Sequence, residues 1–364
     1  MCHDLPSGRM SGTISGWGER KMDVKTASKA IRKGDISPVY LLYGNEKYQM
    51  KQFVEMLKEK VVEEEHRDFA ISSYDLTETP IEVVVEDAET APFLVPKKLI
   101  IVRDTSVFAA GKDNGKIEHR LETLLTYMDN PTDYSVIVFT VQAEKLDERK
   151  KIVKKLKSDA SVIAFAPMGG DDLVAWVHKR AAEREVQLAA GAAERLIQYT
   201  GVGLQSLAAE IDKLCLYAGA QGTISSADIE SLVPRNTEQN VFAMVEDLAN
   251  LRLDKALSIF YELLKQKEEP IKIAALITRQ FRIMLQVKEL AGQSYSQQQI
   301  ASQLSLHPYG VKVAGDQARR FRSEQLRQLL YELGELDYHM KTGVVDKVLG
   351  LELFLMKMGA GASI

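Results

Sequence analysis

The chain has 364 residues, 45% hydrophobic and 27% charged, so it is long enough for two or three domains and too apolar to be dominated by disorder. Its net charge of −4 argues against a free-standing nucleic-acid-binding protein, but not against a subunit that meets nucleic acid inside an assembly. Cys2 and Cys215 have no close partners, and the six histidines show no ligand spacing. We therefore expect no disulfide, metal or cofactor. Because no apolar run approaches a bilayer span, we also expect a soluble, cytoplasmic protein without a membrane partner.

The N-terminal stretch MCHDLPSGRMSGTISGWGERK is rich in Gly and Ser and has neither a helical nor a strand period. It also lacks the apolar core of a signal peptide. We predict that residues 1–21 are a disordered extension or an expression remnant. The folded protein is then expected to begin at Met22.

From Val39 to Ala166 the pattern alternates between strand and helix. The predicted strands are 39–43, 69–74, 99–102, 134–141 and 162–166, and the predicted helices are 47–62, 80–90, 118–128 and 150–157. Strands separated by helix-length segments indicate a largely parallel sheet with helices on both faces.

After Pro167 the strand patterns stop, and Asp171 or Asp172 is placed to cap a helix that runs to Glu185. Further helices are predicted at 190–199, 204–217 and 225–232, and then at 239–250, 253–267, 271–291, 296–304, 310–320, 323–341 and 344–358. The run LGLELFLMKM is apolar nearly all round, which predicts burial in its own bundle or against another subunit. Assemblies of the AAA+ class combine an α/β domain and a small helical lid in this order.

The first predicted strand runs into Gly44 and then a helix, as a phosphate-binding loop does. Such a loop needs a second glycine, a lysine and a hydroxyl residue, but those places hold Gln49, Met50 and Lys51. In an ATPase, acidic residues that bind the metal would directly follow the strand 99–102, but here Arg103 follows and Asp104 comes one residue later. A weakened nucleotide site and a simple strand-to-helix turn are both compatible with Gly44. Because Gln49, Met50 and Lys51 occupy the positions where phosphate binding requires glycine, lysine and a hydroxyl residue, we favour the simple turn.

Three segments and the domain order carry a resemblance to a known family. They are PVYLLYGNEKY (Pro38–Tyr48), ETAPFLVPKKLIIV (Glu89–Val102) and NTEQNVFAMVEDLANLRLDKAL (Asn236–Leu257). Over roughly Met22 to Met358 the chain resembles the delta subunit of bacterial DNA polymerase III, in its Gram-positive form. The resemblance implies an AAA+-like (RecA-type) α/β domain at 22–167, a helical lid at 168–235 and a helical collar or oligomerisation domain at 236–364.

The same resemblance implies a function. Delta subunits belong to the clamp loader, bind the ring-shaped sliding clamp (the beta subunit) and help to open one of its interfaces. The gamma/tau and delta-prime subunits join through the collar and supply the ATP-driven switching, while primed DNA lies within the assembled loader. The chain is then a DNA replication protein of the DNA-directed DNA polymerase holoenzyme, associated with the replisome and nucleoid, and without intrinsic ATPase activity.

The family's clamp contact is a hydrophobic pair between the end of a helix and a buried strand. Here the matching residues are Pro92 and Phe93, with Leu94 beside them and Thr90 at the helix edge. The resemblance implies that Phe93 and Leu94 project as an apolar wedge into the clamp. The alternative is that both are core residues that pack beneath the strand starting at Leu99.

Basic residues offer a second set of candidates, because a loader surrounds DNA. Arg319, Arg320, Arg322 and Lys341 are candidate DNA-facing residues in the predicted collar. Two further functions stay open. One is an AAA+-type ATPase with an unusual nucleotide site near Lys47 or Lys51, and the other is a structural scaffold of another assembly.

Overall fold

The computed structural model describes residues 21–103, 105–110 and 117–359. The chain divides after Ala166 into two compact units. The predicted N-terminal extension lies outside the described residues, except for Lys21, which already pairs with Val162 as part of a strand.

The first unit is built on a parallel six-stranded sheet with strand order β1-β6-β2-β5-β4-β3. The strands are β1 (Lys21–Met22), β2 (Val39–Gly44), β3 (Ile71–Asp75), β4 (Lys98–Arg103), β5 (Ser135–Val141) and β6 (Ser161–Phe165). The helices are α1 (Val24–Arg32), α2 (Lys47–Val61), α3 (Arg67–Ala70), α4 (Ile81–Glu89), α5 (Leu121–Asp129) and α6 (Lys151–Asp159). Short 3₁₀ turns occupy Glu64–His66 and Ser106–Phe108.

Both faces of the inner strands β2, β4, β5 and β6 are largely buried, which explains why these strands are apolar runs without regular polar positions. The edge strand β3 is only partly buried and contains polar residues. Val39 and Leu41 of β2 join a core with α4, α5 and α6. Their neighbours Tyr40 and Leu42 join the opposite core with α1 and α2. The period of two along a strand thus places helices on both faces, as predicted.

Two element starts predicted in the first unit are wrong, and one helix was not predicted. The strand predicted from Phe69 begins only at Ile71, because Ala70 is buried as the end of α3 while Phe69 lies exposed against the His66 ring. The helix predicted from residue 118 begins at Leu121, and His119 instead accepts a hydrogen bond from the backbone N–H of Ile81. Helix α1 was not predicted, although Asp23 caps it by accepting the N–H of Thr26 at 2.6 Å.

The second unit is mostly helical. Its helices are α7 (Gly170–Ala182), α8 (Ala192–Thr200), α9 (Leu204–Ala218), α10 (Ser226–Leu232), α11 (Thr237–Ala249), α12 (Leu253–Lys265), α13 (Pro270–Gly292), α14 (Gln297–Leu304), α15 (Pro308–Ala318), α16 (Ser323–Thr342) and α17 (Lys347–Gly359). Two short strands, β7 (Gln187–Leu188) and β8 (Thr223–Ile224), form a parallel pair, so the expectation that strands stop after Pro167 is wrong in this detail. Gly169 takes the N-cap position of α7, and Asp171 and Asp172 lie in its first turn, where their charge favours the helix dipole.

Helices α11 to α17 share one hydrophobic core. At its centre α13 buries Ile273, Ile277, Phe281 and Met284 completely. The apolar helix α17 buries only one face, with Leu351 and Leu355 inside. The other face is exposed and carries Val348, Leu349, Leu353 and Met356.

The architecture confirms the predicted class of a parallel α/β sheet followed by a helical region, with the β7–β8 pair as the exception. Within the part of the chain that the structure describes, none of the helices combines the length and apolarity required to cross a lipid bilayer.

Candidate functional site

The turn after β2 occupies the position of a phosphate-binding loop, between a strand and a helix, but it is shorter and has a different conformation. Strand β2 ends at Gly44 and α2 begins at Lys47, so Asn45 and Glu46 are the whole connection. A phosphate-binding loop places four residues between its two glycines before the lysine. Gly44 has φ +135°, and a Cβ atom there would lie 2.1 Å from the carbonyl oxygen of Phe165. The glycine is thus required by the close approach of β6 to β2.

The neighbouring residues also lack the chemistry that holds a phosphate. Met50 is 5% exposed and belongs to the core on this face of the sheet, while Gln49 and Lys51 lie within helix α2. The backbone N–H of Glu46 donates to the carbonyl of Phe165 at 3.1 Å. Burial raises the pKa of the Glu46 carboxyl, and a hydrogen bond from the backbone N–H of Tyr48 opposes this. Glu46 thus places a carboxyl group at the N-cap of α2, a position where bound phosphate requires hydrogen-bond donors and positive charge. Asp104 lies outside the described residues.

The segment between α4 and β4 has the opposite character. It holds the predicted clamp residues, and there Phe93 is 78% exposed and Leu94 76% exposed. The alternative that these two side chains pack beneath β4 is wrong. Pro92 is partly buried, and Thr90 forms the C-cap of α4, where its hydroxyl donates to the carbonyl of Glu86 at 2.8 Å. Val95, one residue past the exposed pair, packs against the core.

Leu94 also has an unusual backbone. Its φ is +62°, in the left-handed region that leucine rarely adopts. This conformation costs a non-glycine residue about 1–2 kcal/mol. Since Leu94 is largely exposed, its own packing offsets little of that cost. The contacts at the two ends of the segment therefore hold it in place.

The end of α4 is held by side chains from the first residues of β4 and β5 and from the loop that precedes β5. We call these four side chains the α4 cap: Lys98, Thr132, Tyr134 and Ser135. The Lys98 ammonium donates to the carbonyl of Asp87 and, at 2.8 Å, to its carboxylate. Thr132 and Ser135 donate to the carbonyl of Ala88 at 3.1 and 2.7 Å, and Tyr134 donates to that of Glu89 at 2.7 Å.

Asp87 uses both carboxylate oxygens. One accepts from Lys98, and the other accepts from the hydroxyl of Tyr74 on β3 at 3.1 Å. Burial, together with the Asp87 charge, raises the pKa of the Tyr74 hydroxyl. Lys98 itself is 7% exposed, so breaking this ion pair would leave a buried charge without a partner, which is strongly destabilising. None of the four cap residues was predicted from the sequence, although a lysine directly before the apolar run LIIV is a signal for a buried ion pair.

The predicted DNA-facing residues do not form one group. Arg319 and Arg320 follow α15 and Arg322 precedes α16, whereas Lys341 lies near the far end of α16. At 1.5 Å per residue, Arg322 and Lys341 are roughly 28 Å apart. The structure thus brings the three arginines near one another but not Lys341.

These basic side chains also have neighbours of their own. Arg320 contacts the amide oxygen of Asn250, and Lys341 pairs with Asp337 at 2.7 Å. Arg319 lies 3.5 Å from Asp316. All are exposed pairs, which contribute little to stability and are easily exchanged for another partner. Among the described residues no cluster of three or more His, Cys, Asp or Glu side chains is placed to hold a metal ion.

Comparisons with known proteins agree with one another. Residues 40–166 match the family model for the DNA polymerase III delta subunit, and residues 238–358 match the model for the C-terminal domain of that subunit. The chain is 42% identical to the DNA polymerase III subunit delta of Bacillus subtilis over 91% of its length and 95% of the relative. It is 22% identical to a probable DNA polymerase III subunit delta of Aquifex aeolicus, covering 87% of this chain and 90% of the relative.

A solved structure gives the same result. The Bacillus subtilis DNA clamp loader delta protein (YqeN) aligns with a TM-score of 0.71 and 41% sequence identity, over 91% of this chain and 98% of the other. The relatives match nearly the full length of the chain, so the similarity covers both units.

We predict that Leu94→Asn stabilises the protein by about 1 kcal/mol, because asparagine tolerates the left-handed region and little packing is lost at this exposed position. The free energies of unfolding of this variant and of Leu94→Ala are compared in urea, because alanine lacks the polar side chain with which asparagine tolerates the left-handed region and therefore keeps the strain. Equal stabilities would show that Leu94 is not held under strain.

Proposed function

The chain belongs to the family of DNA polymerase III delta subunits of the clamp loader, and from this we propose that it binds the sliding clamp through Phe93 and Leu94 and helps to open it. The observation that carries the proposal is the exposure of these two apolar side chains on a segment fixed at both ends. Thr90 and Pro92 flank them and shape the backbone. On this account the protein performs no chemistry of its own.

The energetics suit a small hydrophobic anchor. Full burial of a side chain such as Phe93 or Leu94 contributes about 1.5–3 kcal/mol. A few anchors of this kind often supply most of an interface's affinity. The backbone around Leu94 already has a defined conformation, so less entropy is lost when the segment binds.

Ring opening then follows from differential binding. A ligand shifts a conformational equilibrium only by as much as it prefers one state over the other. The wedge therefore opens the clamp if its pocket fits Phe93 and Leu94 better in the opened ring than in the closed one. Energy for the cycle comes from the gamma/tau and delta-prime subunits.

We further propose that the chain neither binds nor hydrolyses ATP. The short turn of Asn45 and Glu46, the buried Met50 and the acid at the start of α2 support this. The same strand, turn and helix then serve only to build the sheet that carries the clamp-binding segment.

The exposed face of α17 supports a role in assembly. Val348, Leu349, Leu353 and Met356 form an apolar surface on a helix whose other face is buried. Exposed apolar patches of this kind mark protein–protein contacts. We propose that residues 236–364 form the collar with the other loader subunits, that 168–235 act as the lid and that 22–167 carry the clamp contact.

Inside such a loader, Arg319, Arg320 and Arg322 are proposed to face primed DNA. Lys341 would contact a different part of the DNA, because it lies at the other end of α16. This places the protein at the replisome, in the nucleoid region of the cytoplasm.

Phe93→Ala is expected to weaken binding of the full chain to the sliding clamp encoded in the same genome by roughly tenfold to a hundredfold, since it removes one buried anchor. The matched control is Phe69→Ala, another exposed phenylalanine of the same unit at 55% exposure, which should leave the affinity unchanged. Surface-plasmon resonance with immobilised clamp measures both. Equal losses in the two variants would reject the assigned contact, and a wild-type chain that does not bind would reject the function.

ATP with magnesium is expected to show no saturable binding to the isolated chain in calorimetry up to millimolar concentration. The alternative of an AAA+-type ATPase requires tight, magnesium-dependent binding that disappears in Lys47→Ala or Lys51→Ala. That result would replace the present proposal.

Leu353→Glu is expected to prevent co-assembly with the other loader subunits, because it replaces an apolar side chain of the exposed α17 face with a charge. Leu216→Glu, the same change on an exposed leucine of α9, is the control and should still assemble. Size-exclusion chromatography of the mixed subunits distinguishes them. A wild-type chain that fails to co-assemble would favour a scaffold of another assembly.

A further inference from the structure

The C-terminal turn of a helix leaves its last carbonyl groups without partners inside the helix. In α4 three successive carbonyls, those of Asp87, Ala88 and Glu89, accept hydrogen bonds from the side chains of the α4 cap. Phe93 follows four residues after the last of these carbonyls. The direction in which the chain leaves α4 therefore depends on donors that lie on other strands.

We propose that the α4 cap sets the direction of the clamp-binding segment, and that Lys98, Thr132, Tyr134 and Ser135 are positioning residues for clamp binding. This inference rests on the proposed function. None of the four side chains needs to touch the clamp. They act on its affinity through the backbone that carries Phe93 and Leu94.

The cap is built on rigid structure. Lys98 is the first residue of β4 and Ser135 the first residue of β5, and the two are register partners in the parallel sheet. The backbone N–H of Lys98 donates to the carbonyl of Tyr134 at 2.8 Å. Two of the donors that face α4 are thus fixed to the starts of two paired strands, and Tyr134 and Thr132 lie in the loop that leads into the second of them.

Lys98 has an additional effect because of its place in the chain. It follows the exposed segment directly, and its ammonium returns to Asp87, 11 residues earlier. The ion pair therefore closes a short loop that has Phe93 and Leu94 near its middle. Closing the loop limits the conformations that the segment can adopt before binding, which lowers the entropic cost of binding.

Loss of one cap contact would allow the end of α4 to populate other directions. Only molecules with the binding-competent direction can then bind, so the apparent affinity falls in proportion to the fraction of molecules that keep this direction. Tyr134 is the best place to test this, because it is only partly buried and its phenyl ring can stay while its hydroxyl is removed.

The test measures clamp binding by the full chain for the wild type, Tyr134→Phe, Phe93→Ala and the double variant, using the sliding clamp from the same genome. We expect Tyr134→Phe to lower the affinity for the clamp by about threefold to tenfold, which corresponds to the free energy of one hydrogen bond. In the Phe93→Ala background, Tyr134→Phe should lower the affinity for the clamp less than twofold. The reason is that Tyr134 acts by positioning Phe93, and that side chain is already removed.

Tyr40→Phe is the matched control. It also removes a hydroxyl with a hydrogen-bond partner in the first unit, namely the backbone N–H of Ser37 at 2.9 Å, but that contact lies on β2 and not at α4. It should lower thermal stability without weakening clamp binding.

The outcomes separate the two levels of the proposal. If Phe93→Ala weakens binding but Tyr134→Phe does not, or if Tyr134→Phe costs the same in both backgrounds, the positioning role is wrong and the clamp contact stands. If Tyr40→Phe weakens clamp binding as much as Tyr134→Phe does, the loss of affinity reflects lower stability of the first unit, and the positioning role is also wrong. A wild-type chain that does not bind the clamp would overturn both the function and the inference.

Discussion

The ion pair between Lys98 and Asp87 is the contact on which the geometry of the candidate site depends. It joins the last turn of α4 to the first residue of β4, with a separation of 2.8 Å and little exposure of the lysine side chain. An unpaired charge at this depth would be costly, so the pair has to form whenever α4 packs on the sheet. Through it, the eight residues between helix and strand begin and end at fixed points. The exposed side chains of Phe93 and Leu94 thus belong to a defined surface and not to a loose loop.

The same sheet also contains a strand–turn–helix connection, in which β2 runs through Gly44 into α2. There the backbone of β6 comes so close that only glycine fits, Met50 fills the core and Glu46 adds an acid where a phosphate would need a cation. The connection has kept its structural role in the sheet without the residues that bind phosphate. This construction fits the proposal that the chain acts by binding and performs no chemistry of its own.

Much of the fold followed from the sequence, because strand runs and helical periods reflect local burial. The exposure of Phe93 followed only from the family resemblance, since the hydrophobic pattern of an apolar pair before a buried strand is the same whether the pair points into the core or away from it. The left-handed conformation of Leu94 was not predictable either, nor were the cap contacts of Thr132, Tyr134 and Ser135, which join residues 44 to 47 positions apart. Lys341 was grouped with the three arginines by charge alone, and only the length of α16 separates them. Short strands such as β7 and β8 are too brief to give a period.

The most direct test of the account is a structure of the full chain bound to the sliding clamp. The account predicts that Phe93 and Leu94 are buried in an apolar pocket of the clamp, while Lys98, Tyr134 and Ser135 keep their bonds to the end of α4. A complex in which Phe93 remains in solvent, or in which the clamp is held by another surface, would contradict the central claim.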